Sequence, residues 1–200
     1  MQQKEPILKI LAFSDLHRDV EATRKIVKAS ANADILIGAG DFSTRGQGAI
    51  EIIQILQTAN IPTVLVSGNH DKLKELDALC ADWSNGHLLN AQSVTLGNTT
   101  FFGLGGEVPQ RNNAEWNEAL SEEDAANALA DCPDNAVLIT HMPPFGFADL
   151  QRDGTHDGSK SIAAAIVEKQ PAFHFCGHIH SAWGTSGKIG KTSVHNLGPV

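Results

Sequence analysis

Short apolar runs alternate with amphipathic stretches over the first part of the chain. Residues 7–13 (ILKILAF) read as a buried strand, residues 34–39 (DILIGA) as a second, and PTVLVS from Pro62 as a third. Between and after them the apolar positions take helical spacing: residues 19–31 with Ile26 and Val27 on one face, residues 49–58 with Ile52, Ile53 and Leu56, and residues 72–81. Strand and helix in alternation predict βαβ crossovers and a largely parallel sheet. The middle changes character. Residues 93–96 and 99–104 flank Gly97-Asn98 and predict a hairpin. Ser121 followed by Asp124 opens a helix reaching Ala130. Residues 136–140 (AVLIT) and 172–176 are strands, with a helix over 159–169 that stops before Pro171. Residues 183–185 and 192–197, separated by Gly187 and Gly190, suggest a last hairpin. Parallel units first and hairpins later predict an α/β protein: two packed sheets flanked by helices, in one domain over 1–200.

Composition adds little to this, and charge adds more. At 42% hydrophobic and 19% charged, the chain has the make-up of an ordinary soluble globular protein. A net charge of -8 with no basic stripe argues against long nucleic acids as partners. Cys80, Cys132 and Cys176 lack CxxC spacing, so they are expected to be small apolar fillers, not a disulfide framework or a thiolate metal site. The N-terminal stretch carries no signal-peptide pattern and no run is long enough to span a bilayer, so no membrane is expected and the default compartment is the cytoplasm.

The informative residues follow the predicted strands. Ser14-Asp15-Leu16-His17 comes after the first, Gly40-Asp41 after the second and Gly68-Asn69-His70-Asp71 after the third. His141 follows AVLIT, and Gly177-His178-Ile179-His180 follows AFHFC. In open α/β sheets ligands bind outside the carboxyl ends of the strands, so these segments can converge although they lie far apart in sequence. Residues two apart in an extended loop face the same side, which lets Asp15 with His17, and His178 with His180, present paired ligands. Glycine before Asp41, Asn69 and His178 permits tight turns near a cation. Any one of these residues alone is more often a helix cap or a satisfied histidine. Five such segments together point to a metal site. Oxygen and nitrogen donors without thiolate suit Mn²⁺, Fe, Co²⁺ or Zn²⁺.

Asp15-Leu16-His17, Gly40-Asp41, Gly68-Asn69-His70-Asp71, His141 and Gly177-His178-Ile179-His180, in this order, resemble the calcineurin-like metallophosphoesterase signature from about Ile7 to His180. The stretches from Gly40 to Gly46 and from Thr140 to Gly146 look most like the small bacterial phosphoesterases akin to the mammalian metallophosphodiesterases. The resemblance implies a four-layer αββα sandwich of two mixed sheets, with a dinuclear site at the strand ends. It implies that Asp15, His17 and His180 hold one metal, that Asn69, His141 and His178 hold the second, and that Asp41 bridges them. Mn²⁺ is the favoured ion. His70 is then no ligand but contacts the phosphate or the leaving group. The implied reaction is in-line attack on a phosphate ester by a hydroxide held between the two metals.

One position departs from the protein serine/threonine phosphatases, which carry an Asp just before the Arg of the Gly-Asp motif to orient the catalytic histidine. Here it is Thr44. Either Asp71 or a backbone group orients His70, or His70 acts only as a donor. Arg45 is the leading candidate for a phosphate clamp, with Arg18 comparable; the alternative is a solvated arginine at a helix start. Arg111, Asn112, Asn113, Arg152 and His156 belong to loops that can cover the site, and Trp116, Phe145 and Phe147 can line an aryl surface. His87, His174 and His195 are left outside it. The expected activity is a phosphodiesterase on small or nucleotide-like esters. The alternatives are a phosphomonoesterase, a non-catalytic scaffold of the same fold and, disfavoured by charge, a nuclease. The sequence does not specify an oligomeric state.

Overall fold

Residues 7–199 are described by a computed structural model; residues 1–6, part of the stretch read for targeting signals, and residue 200 lie outside the described residues. The alternating strands and helices form a parallel sheet of β1 (Ile10–Phe13), β2 (Ile35–Gly38), β3 (Thr63–Leu65) and β4 (Gly86–Leu88), in that order. The crossovers are α1 (Val20–Ser30), α2 (Ala49–Gln57) and α3 (Leu73–Cys80). The second sheet contains β5 (Gln92–Leu96), β6 (Thr99–Leu104), β7 (Val137–Thr140), β8 (Phe173–Cys176), β9 (Ser186–Ile189) and β10 (Thr192–Asn196), in the order β5-β6-β7-β8-β10-β9. Its inner pairs are parallel and its two outer pairs are antiparallel hairpins, so this sheet is mixed and the first wholly parallel. The crossovers of the second sheet include α4 (Glu122–Leu129) and α5 (Lys160–Lys169).

Strand alternation sorts the apolar side chains into three layers. Leu36 and Leu65 pack with Ile26, Ile52 and Leu76 under the first three helices. Ile37, Val64, Phe101, Ile139 and Phe175 fill the space between the sheets. Phe102, Leu138 and Val194 pack with Leu129 and Ile166 under the last two helices. The order is therefore helices, sheet, sheet, helices. Asp19, Ser121 and Ser159 cap their helices by accepting from the backbone N–H three residues on, which places the helix starts within a residue of those expected. Cys80, Cys132 and Cys176 are free and buried. No helix among the described residues is long and apolar enough to cross a membrane.

Two elements differ from expectation. β4 is only three residues long and carries no apolar run, so periodicity misses it; pairing with β3 makes it a strand. The last hairpin uses Ser186–Ile189 where residues 183–185 are expected. Trp183 is drawn instead into a hydrogen bond with Asp15, and the polar, glycine-containing SGKI edge strand has no hydrophobic signature.

His174 shares a face with Leu138 and Val194, its register partners, and is fully buried. Thr140 Oγ donates to the Met142 carbonyl at 2.5 Å, so its contact with His174 Nε2 at 2.8 Å requires the imidazole to donate. Nδ1 has no partner. Burial, aided by His195, lowers the pKa of His174 to about 3. The unfolded chain, with a histidine pKa of about 6.5, therefore binds a proton that the folded one refuses. Stability contributed above that value is lost as pH falls towards 3. In urea titrations below about pH 6.5, His174→Leu is expected to flatten the acid loss of stability, by up to about 1.4 kcal/mol per pH unit. An unchanged slope would refute this assignment.

Candidate metal centre

The strands β1, β2, β3, β7 and β8 end at one edge of the sandwich, and each releases its polar residues there. The loops are stitched across strands and sheets: Asp15 N–H donates to the Gly40 carbonyl at 3.0 Å, His17 N–H to the Asp41 carbonyl at 2.8 Å, and Gly177 N–H to the His141 carbonyl at 2.9 Å. Asp15, His17, Asp41 and His178 all have left-handed backbone, with φ of 56°, 43°, 59° and 65°. Such conformations cost a non-glycine residue energy and gather where function demands a side-chain direction. Two of the glycines serve close approach. A Cβ on Gly68 would stand 2.0 Å from Asp41 Oδ1, and one on Gly177 would stand 2.4 Å from Asp15 Oδ2.

Seven side chains meet at this edge. Asn69 Oδ1, His141 Nε2 and His178 Nδ1 form a near-equilateral triangle with sides of 3.2, 3.1 and 3.2 Å. On the other flank His17 Nε2 and His180 Nε2 are 3.4 Å apart, and His180 Nε2 lies 3.6 Å from Asp15 Oδ1. Asp41 Oδ2 stands between the two sets, 3.4 Å from His17 Nε2 and 3.5 Å from His141 Nε2. Donors about 2.1 Å from a common cation are separated by roughly 3.0 Å in an octahedron and roughly 3.4 Å in a tetrahedron. The observed separations are close to those edges. Among the described residues, Asp15–His17–His180, Asp15–Asp41–His141 and His17–Asp41–His70 each gather ligand atoms within 4.8 Å of one another.

Hydrogen bonds behind these atoms fix which face each group turns inward. His141 Nδ1 donates to the Ala39 carbonyl at 2.8 Å, which leaves the Nε2 lone pair free. Asn69 Nδ2 donates to Asn117 Oδ1 at 2.9 Å, which turns its oxygen inward. Asp15 Oδ2 accepts from Ser14 Oγ at 2.5 Å and from Trp183 Nε1 at 3.2 Å. Asp41 Oδ1 accepts His70 N–H at 2.9 Å, so its other oxygen is the one that faces both sets.

His70 is gripped along its whole backbone. Its N–H meets Asp41, and its carbonyl accepts from Gly46 N–H at 2.7 Å and from the Ser43 hydroxyl. Arg45 N–H donates to His70 Nδ1 at 3.0 Å. A backbone group therefore orients the ring in place of the acid missing at Thr44. The neutral imidazole then carries its proton on Nε2, which makes it a donor and leaves no lone pair there for a cation. Asp71, expected beside His70 in the catalytic group, meets backbone groups. Its oxygens accept N–H groups of Gly68 at 2.8 Å, Asp41 at 2.9 Å, Phe42 at 3.3 Å and Ser43 at 2.8 Å, tying the second strand-end loop to the third. The Arg45 guanidinium lies 5.8 Å from the Trp116 ring, which itself sits 4.6 Å from the His70 ring. Trp116 thus belongs to the site. The Phe145 and His156 rings lie 5.9 Å apart at a tilt of 58°, and His156 also pairs with the buried Asp149 at 2.6 Å. Phe147 packs in the layer beneath α4 and α5 and against Gly187. Arg18 lies along Gly48 at the start of α2. Arg152 lines a cavity of about 630 Å³ that opens beside His178 and His180. Glu107 and Asn117 were not singled out from sequence; Glu107, after Leu104-Gly105-Gly106, is one more acid beyond a strand end.

Burial pushes the Asp41 carboxyl up, but His141, His17 and His70 overcome that and hold it well below the carboxylate range. The Asp15 carboxyl is also lowered: His180 and His141 outweigh burial and the charge of Asp41. Burial acts against a charged His141, yet Asp41 and Asp15 raise its pKa. Burial and the His141 charge lower His178 to about 3. Burial, then Asp41, push Asp71 up to about 6. Two buried anions thus draw positive charge into the site.

Comparison with known proteins identifies the fold and the family. The UPF0046 protein K07C11.7 of Caenorhabditis elegans is 28% identical over 219 residues, covering 95% of this chain and 69% of that protein. TT1561 of Thermus thermophilus shares the fold with a TM-score of 0.77 at 21% identity, over 96% of this chain and 90% of that one. The phosphopantetheinyl hydrolase PptH of Mycobacterium tuberculosis shares it with a TM-score of 0.60 at 16% identity, over 96% and 90%. The family model described as "calcineurin-like phosphoesterase superfamily domain" matches residues 8–200. The chain therefore belongs to the calcineurin-like phosphoesterase superfamily, a family of metal-dependent hydrolases of phosphate esters.

Proposed function

We propose that the protein is a dinuclear metallophosphodiesterase acting on small or nucleotide-like diesters. One observation carries the reading: Asp41 Oδ2 stands within 3.5 Å of a donor from each of two three-atom sets. Asp15, His17 and His180 hold one cation, Asn69, His141 and His178 the other, and Asp41 bridges them; Mn²⁺ is favoured for this oxygen and nitrogen donor set. When bound, such a pair lowers the pKa of water and offsets charge on the phosphate oxygens.

The protein's own groups do the rest. His70, held by Asp41 and Arg45, presents Nε2–H to the leaving oxygen as donor and general acid. Arg45, over Trp116, meets a phosphate oxygen or an aryl substituent. Arg111 is engaged with Glu107 and Asp157 and adds no free positive charge. The acidic balance favours small substrates over polymeric nucleic acid. The active unit is one domain spanning the chain, and the free, buried cysteines favour the cytosol.

Calorimetric titration of metal-free protein with Mn²⁺ is expected to show two equivalents bound. Asp41 and Asp15 hold a proton on His141 until a cation displaces it, so affinity rises with pH through neutrality and binding releases a proton. Asp41→Asn is expected to weaken both sites; unaltered binding in that variant would sink the reading. In a panel of aryl esters the bis-aryl phosphate is expected to give the larger kcat/KM, and a reversed preference would make the enzyme a phosphomonoesterase. His70→Ala is expected to lower kcat by about 10²–10⁴-fold with both metals retained. A rate within a few-fold of wild type would remove the acid role.

A further inference from the structure

Behind the Asn69–His141–His178 triangle lies a polar network that the reaction itself does not use. Asn69 Nδ2 donates to Asn117 Oδ1 at 2.9 Å, and Asn117 Nδ2 donates to Glu107 Oε2 at 2.9 Å. Glu107 Oε2 also accepts Arg111 N–H at 3.0 Å. Its Oε1 faces Arg111 Nη1 at 3.4 Å and His178 Nε2 at 3.9 Å. Backbone bonds hold the parts in register: Glu118 N–H donates to the Asn69 carbonyl at 2.9 Å, and Glu107 N–H to the Glu118 carbonyl at 2.9 Å. The side chain of Glu107 is 6% exposed, so its charge has been taken out of water. A buried carboxylate is costly unless its neighbours are donors, and here all four are.

We infer that Glu107 and Asn117 form a positioning pair that prepares one half of the centre for its cation. This rests on the reading that Asn69, His141 and His178 together hold a metal. A carboxamide can point either end inward, and only the oxygen can ligate a cation. Asn117 settles the choice by taking the amide protons of Asn69. Glu107 in turn orients Asn117 by accepting from its amide. With its other oxygen Glu107 favours a proton on His178 Nε2, which leaves the Nδ1 lone pair in the triangle. One buried acid thus orients one donor through Asn117 and, as a charge 3.9 Å away, biases the tautomer of a second. Nothing comparable among the described residues serves the Asp15–His17–His180 set, which Ser14 and Trp183 hold through Asp15.

Glu107→Gln tests this with almost no change of volume. A glutamine has an NH₂ at one end, and in either orientation that end meets donors: Asn117 and Arg111 N–H on one side, Arg111 Nη1 and His178 Nε2–H on the other. Mn²⁺ titration followed by calorimetry and electron paramagnetic resonance is expected to show one of the two equivalents weakened about 10–100-fold, with the other unchanged and the coupled two-ion signal lost at sub-saturating metal. Asn117→Leu frees the Asn69 carboxamide to turn and is expected to weaken the same equivalent. Thermal melts of the metal-free variants report whether the fold is retained; a purely structural role would lower those melts and leave the ratio of the two affinities unmoved, which would overturn the inference. Wild-type uptake of two ions, with both variants titrating like wild type, would overturn the inference alone. A wild type that binds no more than one ion would overturn the reading of the site as well.

Discussion

Two carboxylates, Asp15 and Asp41, are each only 2% exposed at the seam between the sheets, and their charge must be neutralised where they stand. An isolated buried carboxylate costs several kcal/mol even after relaxation. Retreat to the neutral acid is opposed by the imidazoles around them, which keep both groups ionised. The surroundings are arranged for positive charge in a confined volume. Histidine protonation supplies some of it in the metal-free protein, above all on His141, whose pKa the two carboxylates raise. Cations satisfy the same anions and leave every imidazole neutral. The electrostatic demand of Asp15 and Asp41 and the donor spacing around Asp41 therefore lead to one conclusion by separate routes.

Convergence of these groups is a consequence of parallel strands. β1, β2 and β3 pair in parallel, as do β7 and β8, so their carboxyl ends share an edge of the sandwich. Each donor set draws on both sheets: Asp15 and His17 with His180, and Asn69 with His141 and His178. The geometry therefore depends on the apolar layer between the sheets, where Ile37, Val64, Ile139 and Phe175 fix how the two edges meet. A shift of one sheet against the other would change the spacing within both sets. Asp71 guards against local slippage by holding the Asp41 and Asn69 loops with one carboxylate.

Much of this was legible in the amino-acid order, for a physical reason. A polar residue directly after a fully buried strand has one place to go, the sheet edge, so Asp41 and His141 declare their location through DILIGA and AVLIT. Close approach requires glycine, so Gly68 and Gly177 announced contact before any coordinate did. The rest depends on partners remote in sequence. Thr44 removes the acid that would orient His70, and the substitute is a main-chain N–H of Arg45, which side-chain identity does not encode. Asp71 reads as a group that can orient His70, yet its oxygens turn to the backbone. Asn117 lies in an irregular loop with no periodic signal, and only the fold brings it against Asn69. β4 and β9 escape for the same reason, being strands through pairing and not through hydrophobic pattern.

The two halves of the centre differ in how firmly they are prepared. His180 is the most open of the seven, with a side chain 49% exposed, and it leans on Trp183 at 4.1 Å. His141 is fully buried, and the Asn69 carboxamide is fixed through Asn117 to a buried acid. A preformed triangle loses little freedom on taking up a cation, whereas a set containing an exposed imidazole must order it first. On the two-metal reading proposed above, the buried half would therefore be filled first. On the same reading, the second half, with its more exposed imidazole, would then be the place where metal and substrate exchange.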